Sequence, residues 1–119
     1  MFRILTIISN TNQYIMIIQI NTDNNVTVHE AFETELNDKI AEKLHRFAGQ
    51  LTRVEVHLSD ENGSKEGQRD KRCLMEARME GMQPIVVTEM NDTLMQAING
   101  AIVKLKTALD SAVGKVRNH

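Results

Sequence analysis

Hydrophobic positions change their period several times along this chain, and the order of the changes outlines a fold. Ile18, Ile20 and Thr22 alternate with Gln19 and Asn21 ahead of a turn-prone Asp23-Asn24-Asn25; a period of two predicts a strand with one face buried. Phe32, Leu36, Ile40, Leu44 and Phe47 then recur every three or four positions. That spacing predicts an amphipathic helix, opened by a Thr27/Glu30 capping box and stopped at Gly49. Alternation returns with Val54, Val56 and Leu58 against Arg53, Glu55 and His57, and again with Cys73, Met75, Ala77 and Met79 against Arg72, Leu74, Glu76 and Arg78. These patterns predict strands over about 52–58 and 71–80, joined by a loop with two glycines. After Gly81 and Pro84, Ile85-Val86-Val87 predicts a strand over about 84–90. Asn91 or Asp92 then caps a last helix whose apolar stripe includes Leu94, Ile98, Ala101, Ile102, Leu105, Ala108 and Leu109.

The order β-α-β-β-β-α predicts an α+β fold: one four-stranded sheet, its last three strands an antiparallel meander, with two helices on one face. The opposite face carries Arg53, Glu55, His57, Arg72, Glu76 and Arg78 and meets water. Residues 16–114 form this domain and 115–119 a short tail. Residues 1–15 have no partner in the pattern, and two readings stay open: an extension ahead of a true start at Met16, or an added edge strand. In the last helix, Ile102 and Leu109 widen the stripe beyond a coiled-coil seam, so packing on the sheet is expected. Gly100 costs that helix about 1 kcal/mol relative to Ala, which predicts a close approach to the sheet.

A length of 119 residues suits one domain that needs no metal or disulfide. The lone cysteine and the lack of a secretory signal point to a reducing, cytoplasmic location, and the apolar run Met1 to Ile8 is too short to span a bilayer. A net charge of -2, with three Phe, one Tyr and no Trp, argues against indiscriminate coating of nucleic acid and against aromatic stacking platforms. Nucleic-acid contact should therefore go to backbone and shape. Catalysis finds no support either. Cys73, His57 and Asp60 are neighbours across a hairpin, but alternation puts Cys73 on the covered face and His57 on the open one. The four histidines lack ligand spacing, and in Asp60-Glu61-Asn62-Gly63 a calcium-loop register would put Leu58 where a carboxylate is needed. No catalytic residue, metal, cofactor or small-molecule substrate is expected.

The cations are better placed. Lys39, Lys43 and Arg46 line one side of the first helix; Lys104 and Lys115 share one border of the last helix's apolar stripe, and Lys106 and Arg117 the other. With Arg72 and Arg78 of the open face, these are candidate contacts to nucleic-acid phosphates, since each such contact releases counterions. The plainer account is that Glu35–Lys39 and Glu42–Arg46 are surface ion pairs, worth about 0.3 to 0.5 kcal/mol each.

Several segments carry a resemblance. Ala97-Ile98-Asn99-Gly100-Ala101-Ile102-Val103-Lys104-Leu105 followed by Leu109, Arg53-Val54-Glu55-Val56-His57-Leu58-Ser59-Asp60, Lys71-Arg72-Cys73-Leu74 and Glu30-Ala31 resemble the bacterial ribosome hibernation-promoting and ribosome-associated inhibitor family, sigma-54 modulation protein-like, over about Met16 to Leu109. The resemblance implies a double-stranded-RNA-binding-like sandwich seated in the mRNA and tRNA cleft of the small ribosomal subunit. There it would touch 16S-type rRNA and neighbouring ribosomal proteins, and silence ribosomes under stress or in stationary phase. Lacking the dimerisation domain of long members, the chain is similar to the short form. Its first helix, with Glu33, Glu35, Asp38 and Glu42, is more acidic than is usual in short members. Two other classes stay open: a stress-response interaction module that dimerises through its sheet edge or last helix, and an RNA-binding regulator acting off the ribosome.

Overall fold

A computed structural model describes the chain at residues 3–11, 14–61 and 70–117, with side chains described over 16–61 and 70–114. The elements are β1 (Arg3–Thr11), β2 (Tyr14–Thr22), α1 (Glu30–Lys43), a 3-10 turn (His45–Phe47), β3 (Leu51–Asp60), β4 (Lys71–Met79), β5 (Ile85–Asn91) and α2 (Leu94–Arg117). The four strands expected from alternation are β2 to β5. Strand β1 adds a fifth, antiparallel along the outer side of β2 with Arg3 opposite Thr22 and Thr11 opposite Tyr14.

The sheet order is β1-β2-β3-β4-β5. Strands β2 and β3 are parallel, which requires the crossover that α1 supplies, and β3-β4-β5 is the expected antiparallel meander. Register carries the pattern across strands: Ile18 opposes Val54 and then Ala77, and Ile20 opposes Val56 and then Met75. All are buried, as is Cys73 opposite Leu58. Helix α1 lies against β1 and β2, and α2 against β4 and β5. Leu36 and Ile40 of α1 join Ala97, Ile98, Ala101, Leu105 and Leu109 of α2 in one core. Contacts of Lys39 with Met95 and of Arg46 with Asp110 show that the two helices run side by side in the same direction.

Helix boundaries depart from the sequence pattern. The Thr27/Glu30 box does not form: His29 is the N-cap of α1, without a side-chain hydrogen bond. Val26 and Val28 both bury their side chains, so the chain stays extended through them and turns helical only afterwards. Helix α1 ends at Lys43 rather than running to Gly49, because the 3-10 turn tightens the backbone and brings Phe47 into the core beside Leu44. At α2 the cap is neither Asn91 nor Asp92. Thr93 Oγ1 accepts from Gln96 N–H at 3.1 Å while Gln96 Oε1 accepts from Thr93 N–H at 3.2 Å, a reciprocal capping box. Helix α2 continues to Arg117, so Lys115 and Arg117 belong to the helix and not to a tail. Between β4 and β5, Met82 N–H returns to the Met79 carbonyl with Gly81 at φ 76, a conformation that favours glycine.

Candidate nucleic-acid interface

The expected cations fall into three groups on different parts of the surface. The first lies in the valley between α1 and α2. Lys39 points its Nζ to within 3.5 Å of Met95 Sδ, and one turn later Lys43 is exposed on the same side. Lys106 follows Met95 by eleven positions and precedes Asp110 by four, so it lines the α2 bank of the same valley. Among the described residues, no carboxylate pairs with Lys39, Lys43 or Lys106, and neither ion pair expected within the first helix forms. Arg46 lies in the 3-10 turn rather than α1, passes over Glu42, and pairs instead with Asp110, its guanidinium 4.8 Å from the centre of the Phe47 ring. Glu35, Asp38 and Glu42 run along α1 beside the valley, making its α1 bank acidic. Arg117 is eleven positions beyond Lys106; its side chain, like that of Lys115, lies outside the described residues.

Lys104 belongs to the second group and faces away from the valley. Its Nζ donates to the Thr88 carbonyl at 2.8 Å and pairs with Glu89 Oε1 at 2.8 Å, so it covers the outer strand β5. Glu89 reaches that position along the covered face, where it opposes Cys73. A Cβ built on Gly100 would lie 2.6 Å from the Glu89 side chain. The close approach expected at this glycine is therefore to a side chain that rises from the sheet.

The third group occupies the open sheet face. Arg78 pairs with Glu76 at 2.9 Å and approaches Glu55 at 3.7 Å, and Arg53 pairs with Glu55 at 3.0 Å while donating to Gln19 Oε1. Arg72 lies 3.8 Å from Glu61. Arg72 and Arg78 are thus separated from the helix cations by the thickness of the sheet.

Cys73 and His57 lie on opposite faces, as alternation requires. Burial, helped by the nearby Glu89 charge, pushes the Cys73 thiol up to about 12, so it is an inert core side chain. Lys71 was not singled out by its sequence pattern. Its ammonium bonds Asp70 at 2.9 Å and Asp60 at 3.3 Å, closing the stem between β3 and β4. The hydrogen bond to Asp70, with support from Asp60, holds that ammonium above the ordinary lysine range. The pairing of Asp60 with Lys71 was the available signal, since the hairpin register sets them opposite each other. Among the described residues there is no group of three His, Cys, Asp or Glu that could hold a metal, and no helix long and apolar enough to cross a membrane.

A mixed sheet with two helices on one face and a cation-lined valley between them defines an α+β class to which known structures belong. The structure resembles that of a ribosomal subunit interface protein from Coxiella burnetii, with a TM-score of 0.62 and 20% identity, covering 82% of this chain and 97% of that one. It also resembles the N-terminal domain of Protein Y from Thermus thermophilus, with a TM-score of 0.58 and 22% identity, covering 84% and 94%. At these identities the likeness is one of fold. No curated protein sequence matches the chain. The sequence does match the sigma 54 modulation protein / S30EA ribosomal protein family over residues 18–117, and the chain belongs to that family of ribosome-associated, non-enzymatic proteins.

Proposed function

We propose that this protein binds the small ribosomal subunit in the cleft used by mRNA and tRNA, and blocks translation by filling it under stress or in stationary phase. The observation that carries the reading is the family match over residues 18–117, which runs from within β2 to the end of α2. The charges refine it. Lys39, Lys43 and Lys106 are not engaged by carboxylates among the described residues, and they share one valley. Arg46, Arg78 and Lys104 are already paired. The valley cations are thus the first contacts to rRNA phosphates, with Arg117 continuing their border of α2, while Lys115 follows the border of Lys104. The action is occlusion, with no bond made or broken, and its place is the cytoplasm.

Sedimentation of the protein with purified subunits through sucrose gradients tests this. The parent should travel with small subunits at low salt and inhibit a purified translation system in proportion to binding. The double variant Lys43→Glu, Lys106→Glu should bind at least about tenfold more weakly and lose roughly two from the slope of log affinity against log salt. Lys104→Gln should lose less, because its partners hold it against β5. Failure of the parent to co-sediment at any salt would remove the ribosome reading. Equal affinity for isolated structured RNA and intact subunits would favour an off-ribosome regulator.

A further inference from the structure

The open sheet face contains a cleft of about 280 Å³, where β2 and β3 end and β4 begins. Asn21, His57, Ser59, Arg72 and Leu74 line it, with Asp23 at the rim. Asn21 sits on the open face by register, yet only 7% of it is exposed. Its Nδ2 donates to His57 Nδ1 at 3.2 Å, and Glu55 Oε1 lies 3.6 Å from His57 Nε2. The amide thus holds one edge of the imidazole, with the carboxylate near the other, while the His57 side chain remains 43% exposed. Arg72 has Glu61 as its only charge partner among the described residues, at 3.8 Å, beyond hydrogen-bond length.

Spacing and polarity together narrow the occupant. Ser59 opposes Arg72 and His57 opposes Leu74, so His57 and Arg72 are diagonal neighbours on one face, their backbones roughly 7 to 8 Å apart. A planar group seated over two such neighbouring side chains touches both at van der Waals distance, about 3.5 Å. The lining mixes donors with acceptors: the guanidinium, the Ser59 hydroxyl and the Asn21 amide against the Asp23 carboxylate. A bare phosphate would be repelled by Asp23. A nucleobase, with donors and acceptors on its edge and a flat face, is matched by both features, and unstacked bases are commonly held on histidine rings or arginine planes.

We infer that this cleft takes a single unpaired nucleotide, its base held against His57 and Arg72 and its edge read by Asn21, Ser59 and Asp23. The site needs no aromatic platform of the kind the composition excludes. It lies on the face opposite the helix valley and does not rest on ribosome binding, which subunit sedimentation tests separately.

Titration of isotopically labelled full-length protein by NMR tests the site with three probes: 5′-mononucleotides, short unstructured oligoribonucleotides and inorganic phosphate. Either nucleotide probe should shift the His57 ring and Asn21 amide signals. His57→Gln and Arg72→Gln should each weaken binding about tenfold, Arg72→Gln at an unchanged melting midpoint. Tighter binding of oligonucleotide than mononucleotide supports the site with an RNA strand as the source; equal binding supports it with a free nucleotide. Equal shifts with inorganic phosphate would overturn the base-binding assignment. So would nucleotide shifts confined to α1 and α2, or no shift of these signals in the parent at millimolar probe.

Discussion

Cys73 shows how one side chain ties stability to pH. Its thiol is held up to about 12 in the fold, chiefly by burial, and returns to its ordinary range on unfolding. As pH rises above about 8.5, the unfolded chain releases this proton first, so the thiol's stabilising contribution is whole below that pH and falls toward 12. Cys73→Ala should lose about 1 kcal/mol at neutral pH, and the gap from the parent should narrow in alkaline denaturant titrations. A water-soluble thiol reagent should label the native protein slowly and the denatured protein fast. Gly100 sets a second balance. Alanine there gains about 1 kcal/mol of helix propensity but displaces the largely covered Glu89 side chain and its pair with half-exposed Lys104. The two terms oppose each other, so Gly100→Ala should stay within about 1 kcal/mol of the parent in denaturant unfolding. Gly100→Val, with no helix gain comparable to Ala and more bulk against β5, should lose about 2 kcal/mol.

At the scale of elements, two Thr-x-x-Glu/Gln patterns with the same local chemistry had opposite fates. Thr93 and Gln96 cap α2 through both reciprocal hydrogen bonds, whereas Thr27 is exposed ahead of a helix that begins at Glu30. Thr93→Ala should cost about 1 kcal/mol in thermal or denaturant unfolding, and Thr27→Ala should cost a few tenths at most. The difference lies in Val26 and Val28, which turn into the core and hold the backbone extended. Strand interiors were legible because the buried face imposes a period of two on Val54, Val56 and Leu58 and on Cys73, Met75 and Ala77. Helix ends were not, since their position depends on which flanking side chains reach the core. The same limit applies to charge. A helical wheel pairs Arg46 with Glu42, but the fold offers Asp110, 64 positions away. It also pairs Lys104 with Glu89 of a neighbouring strand, a partner that no reading of α2 alone can find.

For the whole molecule, the three-strand meander and the covered face could be read from the sequence, while the place of β2 beside β3 and the grouping of the candidate site could not. Of the nine candidate cations, the fold separates the seven with described side chains into a valley, a strand-covering lysine and an open face. The open-face cleft went unread because Asn21 and Gln19 look alike in an alternating strand, although the former is buried by its contact with His57. Strand β1 was one of two open readings because a short apolar run carries little pattern of its own. Its nine residues pair along β2 and lie beside α1, so their loss would expose the backbone edge of β2. Removal of residues 1–13 should therefore lower unfolding free energy by about 2 kcal/mol or more and promote association through the bared edge. Equilibrium unfolding and sedimentation velocity would measure the two effects.

The side-by-side arrangement of α1 and α2 makes the protein an electric dipole across its helix layer. Glu30, Glu33, Glu35, Asp38 and Glu42 outweigh Lys39 and Lys43 on one helix, while Lys104, Lys106, Lys115 and Arg117 outweigh Asp110 on the other. A molecule of net charge -2 is repelled as a whole by a polyanion, yet the field exerts a torque on it that turns α2 forward before contact. Productive encounters then depend on rotation as well as translation. With rRNA as the proposed target, added salt should slow capture by shortening the range over which the torque acts, even though it also relieves the overall repulsion.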